Sequence, residues 1–314
     1  MKQTLEVSNS ELKFIVEGCR QNCRLDGRAR NEFRPYTTLA PGNSGEANLT
    51  RSPPLVSSQG SARVFLASRE THVLVSVKGE LVRPASDRPN HGVVCVHVEV
   101  GHKRNEELES TLSGLLLPHL FDTKTLCIVP DIYAWKLCID VLVYDSAGGS
   151  LLDACSLGIN KALWSTLLPN VTFCPARNGE TGSIQIDSDL SKGVALTTPF
   201  ILPSIITVTI LASPTPVFIL DATKAEEACA YAQMHFVVDV SSDRPKICAV
   251  QTSGKEPLSL AVFQDATSFL LESRPKQFVS RSTEVSPDLL MRSIFVLQQS
   301  LSGHDLSGQS LQMP

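Results

Sequence analysis

Lys103 and Arg104 stand side by side in the polar stretch GHKRNEELE, directly after the alternating run Val93–Val100. Adjacent cations at a strand end suit contact with a nucleic-acid backbone, and they suit a solvated loop equally well. Asp187 and Asp189 offer carboxylates close together, but a hard cation wants several converging oxygens and no histidine stands near them. They read as turn residues. The histidines at 72, 91, 97, 102, 119, 235 and 304 share no metal-ligand spacing; His72 and His97 lie in strand-like runs, where structural hydrogen bonding is their expected role. The nine cysteines include no C-x-x-C pair and read as reduced core residues of a cytosolic or nuclear protein. The glycine-rich nucleotide loops, H-E-x-x-H and G-x-S-x-G are all missing. No metal and no cofactor is expected.

Composition narrows the field further. With 42% hydrophobic and 19% charged residues, the 314-residue chain is globular in character and long enough for two domains. A net charge of -4 lacks the basic excess of a protein that grips nucleic acid unaided, so any RNA contact must be local or shared. The start, MKQTLEVSNSELKF, has no apolar leader and no long apolar run follows, so neither secretion nor membrane crossing is expected.

The elements that must position these residues follow from periodicity. Ser8 and Glu11 fit a capping box, and Leu12, Ile15, Val16 and Cys19 share one helical face, which predicts a helix over 9–20. Residues 40–58 are rich in Pro, Gly, Ser and Asn and read as an inserted loop. Runs within 61–100 predict three strands of a largely antiparallel sheet. A short helix through Leu108, Leu112, Leu115 and Leu116 is expected to stop at Pro118. Strands at 125–129 and 133–144, a turn at Asp145–Gly149 and a helix over 151–166 come next. A change at Pro169 and in 177–189 precedes strands at 205–212, 217–221, 234–240 and 246–252, then helices near 257–272 and 286–300. Grouped strands followed by helices, twice over, favour α+β. The division expected is 1–22 as an N-terminal helix, 23–175 and 176–300 as domains, and 301–314 as a tail.

Several short blocks are more specific. Cys23-Arg24-Leu25-Asp26-Gly27-Arg28 with Glu32-Phe33-Arg34, Gly60–Val64, Thr71–Val75, Leu126–Pro130, Gly148–Ala154 and Leu220–Thr223 with Glu226-Glu227 stand in one order along the chain. In that order they resemble the RNase-PH family, and over residues 12–255 the wording is similar to the non-catalytic ring lineage of the eukaryotic RNA exosome. Cys23–Arg34 leans toward the component 8 type. Val77–Glu80 and Asp221–Cys229 lean toward the component 7 type.

The resemblance implies an RNase PH fold of two β-α domains related to the ribosomal S5 second-domain fold, in a hexameric ring threaded by single-stranded RNA. The partners implied are other RNase-PH-like ring subunits, S1/KH-type cap subunits and associated exosome nucleases, in nucleus, nucleolus and cytoplasm. Active relatives hold inorganic phosphate with a Gly-Thr-Arg turn at a helix N-terminus; the matching turn here is Gly149-Ser150-Leu151-Leu152-Asp153, with an apolar side chain in place of the arginine. Asp153 is expected to satisfy that helix's free N–H groups itself. Asp221 and Glu227 match the family's acidic pair and are expected to survive as features of a strand end and turn. The expected protein is a catalytically inactive structural subunit. The alternatives are an active phosphate-dependent 3′ exoribonuclease of the same fold and a free-standing RNA-binding module.

Overall fold

The computed structural model describes residues 7–40, 58–66, 70–174, 183–187, 193–196, 202–211, 215–242, 244–254 and 257–273. The inserted loop expected at 40–58, the helix near 286–300 and the tail fall almost wholly outside them.

Helix α1 (Asn9–Arg20) starts at Ser8 with the expected reciprocal capping box to Glu11 and buries Ile15, Val16 and Cys19. Strands β1 (Tyr36–Leu39), β2 (Gly60–Leu66), β3 (Thr71–Val82) and β4 (Val93–Val100) follow, then the two-residue β5 (Lys103–Arg104). The helical stretch after β5 runs α2 (Glu106–Thr111), a π-turn (Leu112–Leu116) and α3 (Leu117–Leu120). Pro118 therefore does not stop the helix. It lies in the first turn of α3, where its missing N–H costs nothing, and the π-turn before it absorbs the misfit.

Strands β6 (Cys127–Val129) and β7 (Tyr133–Ser146) complete a seven-stranded sheet of order β1-β2-β3-β7-β4-β5, with β6 on β7. The pairing is antiparallel except for β4 with β7, which run parallel; the expectation of a largely antiparallel sheet missed this crossover.

Helix α4 (Leu151–Trp164) lies between this sheet and the second one. It is buried on nearly every side, from Leu152 to Leu163, because β2 and β3 cover one face and the second sheet covers the other. A helix covered on both faces is largely apolar around its circumference, and here the buried exceptions are Asp153, Ser156 and Lys161. Small two-stranded pairs lie between the halves in the chain: β8 (Leu167–Leu168) with β11 (Val194–Ala195), and β9 (Val171–Cys174) with β10 (Ser183–Ile186). The second sheet has the order β13-β12-β14-β15, built from β12 (Ser204–Leu211), β13 (Val217–Leu220), β14 (Ala230–Asp239) and β15 (Lys246–Gly254). Helix α5 (Lys224–Ala228) caps the β13 end and α6 (Leu260–Glu272) packs on β13. One apolar cluster runs from β3 and β7 through α4 to Ile205 and Val237 of the second sheet, so the halves share a core.

Candidate functional site

The turn entering α4 and the turn leaving β13 face each other, and both are held in unusual backbone conformations. Ser150 (φ 49) and Asp221 (φ 47) are non-glycine residues in the left-handed region, which costs free energy that surrounding contacts must offset. Gly149 (φ 77) is required for a second reason: a Cβ there would meet the Ala222 carbonyl oxygen at 2.6 Å and the Lys224 nitrogen at 2.8 Å. The turns touch backbone to backbone. The Ser150 hydroxyl donates to the Ala222 carbonyl (3.1 Å), and the Ser150 N–H donates to Glu227 Oε1 (2.7 Å).

The Ser150 N–H at the start of α4 thus meets a carboxylate of the protein, and that carboxylate belongs to Glu227. Asp153 does not cap the helix as expected. It is fully buried and turned toward β12, where its Oδ1 lies 2.5 Å from the Thr207 hydroxyl and its Oδ2 accepts the Thr207 N–H (3.1 Å). Burial pushes its carboxyl up to about 7, opposed by the hydrogen bonds from Thr207. The Thr207 hydroxyl also contacts His235 Nδ1 (3.0 Å), and His235 Nε2 reaches the Ser253 hydroxyl (3.2 Å). Burial drives His235 down to about 4. Leu152 is buried in the core, and Leu151 packs half-buried against it.

The acidic side of the site is equally closed. Asp221 is buried at 2% exposure, with Arg34 Nη2 at 2.6 Å from Oδ1, and Arg34 Nε at 2.9 Å and Arg28 Nη1 at 3.0 Å from Oδ2. The Arg34 N–H donates to Oδ2 as well (2.7 Å). Burial alone would raise the Asp221 carboxyl, but hydrogen bonds and charge from Arg34, then the charge of Arg28, hold it below the ordinary range. Glu226, fully buried, takes a forked pair from Arg24 (Nε–Oε1 2.8 Å, Nη2–Oε2 2.5 Å) and closes the N-terminal capping box of α5 with Thr223. Arg24 also donates to the carbonyls of Leu220 (2.9 Å) and Asp221 (2.8 Å). Arg28 pairs in addition with Asp26 (2.7 Å), so three guanidiniums meet three carboxylates.

Arg24, Arg28, Arg34 and Glu226 are the functional residues whose roles sequence reasoning missed. The arginines stood in a block quoted only for its likeness, and attention at 226–227 went to Glu227. The available signal was the recurrence of arginine in a segment with few other charges of its own to pair with. Here the guanidinium next to the α4 turn, that of Arg34, is already bound to Asp221, the Gly148 carbonyl (2.5 Å) and the Ala222 carbonyl (3.3 Å).

Lys103 and Arg104 lie far along the first sheet, in a paired strand rather than the expected loop. Both are exposed, and Arg104 is forked onto Glu109 (Nε–Oε2 3.0 Å, Nη2–Oε1 2.5 Å), whose Oε1 also lies 3.6 Å from His97 Nδ1. The structure does not bring them to the α4 turn. Cysteines 19, 155 and 229 are core residues as expected, whereas 95, 127, 138 and 174 are half-buried and 23 and 248 exposed. Among the described residues, no cluster of three or more His, Cys, Asp or Glu is arranged to hold a metal ion. No described helix is long and apolar enough to cross a membrane.

Comparison with known proteins places this geometry. Residues 202–269 match the 3′ exoribonuclease family, domain 2. The chain is similar to the exosome complex component RRP45B of Arabidopsis thaliana, 27% identical over 81% of this chain and 55% of the relative. It is also similar to the exosome complex component Rrp42 of Sulfurisphaera tokodaii, 29% identical over 87% of this chain and 93% of the relative. Of these two relatives RRP45B is the longer protein, and the chain spans about half its length. A solved archaeal exosome core superposes with a TM-score of 0.65 at 24% identity, covering 87% of this chain and 96% of that one. The fold is the RNase PH fold, and the second half of the chain carries an RNase PH C-terminal domain. The chain's homologues are exosome components of the RRP45 and Rrp42 types.

Proposed function

We propose that this chain is a catalytically inactive subunit of an exosome core ring, contributing a wall of the channel that leads single-stranded RNA to 3′-to-5′ processing and degradation. The observation that carries the reading is the 2.7 Å bond from the Ser150 N–H to Glu227. Phosphorolysis needs inorganic phosphate at that N–H, where the helix dipole and a guanidinium converge on the anion. A resident carboxylate opposes a phosphate by charge and already takes the donor. The nearby guanidinium of Arg34 is committed to Asp221, and Asp221 itself, clamped between arginines, is a poor proton donor to a leaving group.

The partners proposed are RNase-PH-like ring neighbours, S1/KH-type cap subunits and exosome nucleases, in nucleus, nucleolus and cytoplasm; the lineage proposed is the component 7 type, with the component 8 type a close second. Strand β15 is an outer strand of its sheet with largely exposed residues, which supports assembly through strand-edge and apolar surfaces. Contact with RNA is backbone-directed and weak. Lys103 remains its best local cation, since Arg104 is already engaged by Glu109. Native sedimentation and affinity capture followed by mass spectrometry test the assembly. Co-migration with RNase-PH-like chains is expected; a free monomer without such partners overturns the proposal.

A further inference from the structure

Strands β4 and β7 run parallel with Cys95 directly opposite Cys138. Both side chains lie on the outward face of the first sheet, where inward neighbours such as Val96, Val98, Leu137 and Ile139 are buried and the outward ones are not. The two sulfurs are 3.4 Å apart, and the Cys95 sulfur also lies 3.5 Å from the Leu137 carbonyl oxygen. Each cysteine is half-buried, so solvent-borne reagents reach the pair. Neighbouring strands stand about 4.8 Å apart, within the roughly 4.4–6.8 Å Cα separation that a disulfide spans. Closing the bond requires the sulfurs to approach to about 2.0 Å, a movement within reach of χ1 adjustment and slight strand shear.

We propose that Cys95 and Cys138 form an oxidisable dithiol, which peroxide converts to a cross-strand disulfide on the outer sheet face. Cys138 takes the first step, because the Cys95 thiol has two acceptors for its proton, the Cys138 sulfur at 3.4 Å and the Leu137 carbonyl oxygen at 3.5 Å. Its sulfur attacks one peroxide oxygen as the O–O bond breaks, giving the Cys138 sulfenic acid and one water. The Cys95 sulfur then displaces the sulfenic oxygen, which leaves as a second water with the Cys95 proton. In sum, two thiols and one hydrogen peroxide give one disulfide and two waters. Burial, then the neighbouring Cys138, raises the Cys95 thiol to about 12, consistent with Cys95 as the member that keeps its proton until the second step.

The test is mild peroxide treatment of the reduced full-length protein, followed by intact mass, non-reducing peptide mapping and reversal with dithiothreitol. The expected product is lighter by two hydrogens, carries a linked Cys95–Cys138 peptide pair and reverts fully. In Cys95→Ser the link is expected to vanish, with the Cys138 sulfenic acid trapped by dimedone instead; in Cys138→Ser neither link nor trapped adduct is expected at Cys95. The same treatment in urea is expected to lose the preference for this pair. Oxidation confined to the exposed Cys23 and Cys248, or oxygen uptake at Cys95 and Cys138 without a link, overturns the proposal.

Discussion

Around Asp221, three guanidiniums meet three carboxylates within hydrogen-bonding distance. Around Asp153, a carboxylate of equal burial meets only the N–H and hydroxyl of Thr207, with a neutral imidazole beyond. Both clusters hold the second sheet to the rest of the chain, and both leave the Ser150 N–H at the start of α4 to Glu227. They handle burial in opposite ways. The first keeps its charges and cancels them, which fixes both turns in their left-handed conformations. The second gives up charge, so its protonation follows pH. Buried ion pairs are thus expected to respond to removal of a partner, and the neutral cluster to acidity.

The largest effect is expected at the clamp. Asp221→Asn takes the shared carboxylate from Arg34 and leaves Arg28 with Asp26, a loss of about 3–5 kcal/mol, read as a lower urea midpoint of the purified protein. Arg34→Lys is expected to fall between wild type and Asp221→Asn, because an ammonium cannot reproduce the fork. If Asp221→Asn unfolds at the wild-type urea concentration, the clamp is not what locks the turns.

The neutral cluster is sharpened by pH. Asp153 titrates near 7 when folded and 3.8 when unfolded, so the folded state binds the extra proton between those values. Its contribution is therefore fully present below about 4 and lost as pH rises through 7. His235 titrates near 4 when folded against 6.5 unfolded, so its contribution is lost as pH falls from 6.5 toward 4. The two slopes oppose each other across their shared window. Wild-type stability should change little there, whereas Asp153→Asn should lose stability on acidification and His235→Gln should gain it, each on the order of 3 kcal/mol. Thermal midpoints from pH 4 to 7 decide the matter, and parallel profiles for both variants would remove the distinction between the clusters.

The smallest effect belongs to the surface. Arg104→Ala should leave the thermal midpoint within error, because Arg104 itself is solvent-exposed and its charge is screened. A clear drop would mean that the β4–β5 hairpin depends on that fork.

Much of this architecture was legible where local rules act alone. Ser8 and Glu11 announce α1, and alternation around Val94–Val100 marks β4 with its faces correct. The parallel pairing of β4 with β7 was not legible, since nothing in either strand encodes which neighbour it meets. Pro118 misled because a proline in a first turn looks, in sequence, like one that ends a helix. At the site, the apolar turn Leu151–Leu152 and the acidic positions 221 and 227 were readable from their resemblance. The exchange of roles between Asp153 and Glu227 was not. It depends on β13 delivering α5 against the α4 turn, a tertiary contact made possible by Gly149.

The most direct test of the inactive-subunit reading is 3′ shortening of end-labelled RNA by the purified protein in millimolar inorganic phosphate, beside the same preparation carrying Glu227→Gln. With the Ser150 N–H taken by Glu227 and Asp221 held by arginines, neither protein should release nucleoside diphosphates above the phosphate-free control. Phosphate-dependent release by the wild type that disappears in Glu227→Gln would contradict the account, because Glu227 would then be serving catalysis rather than filling the anion site.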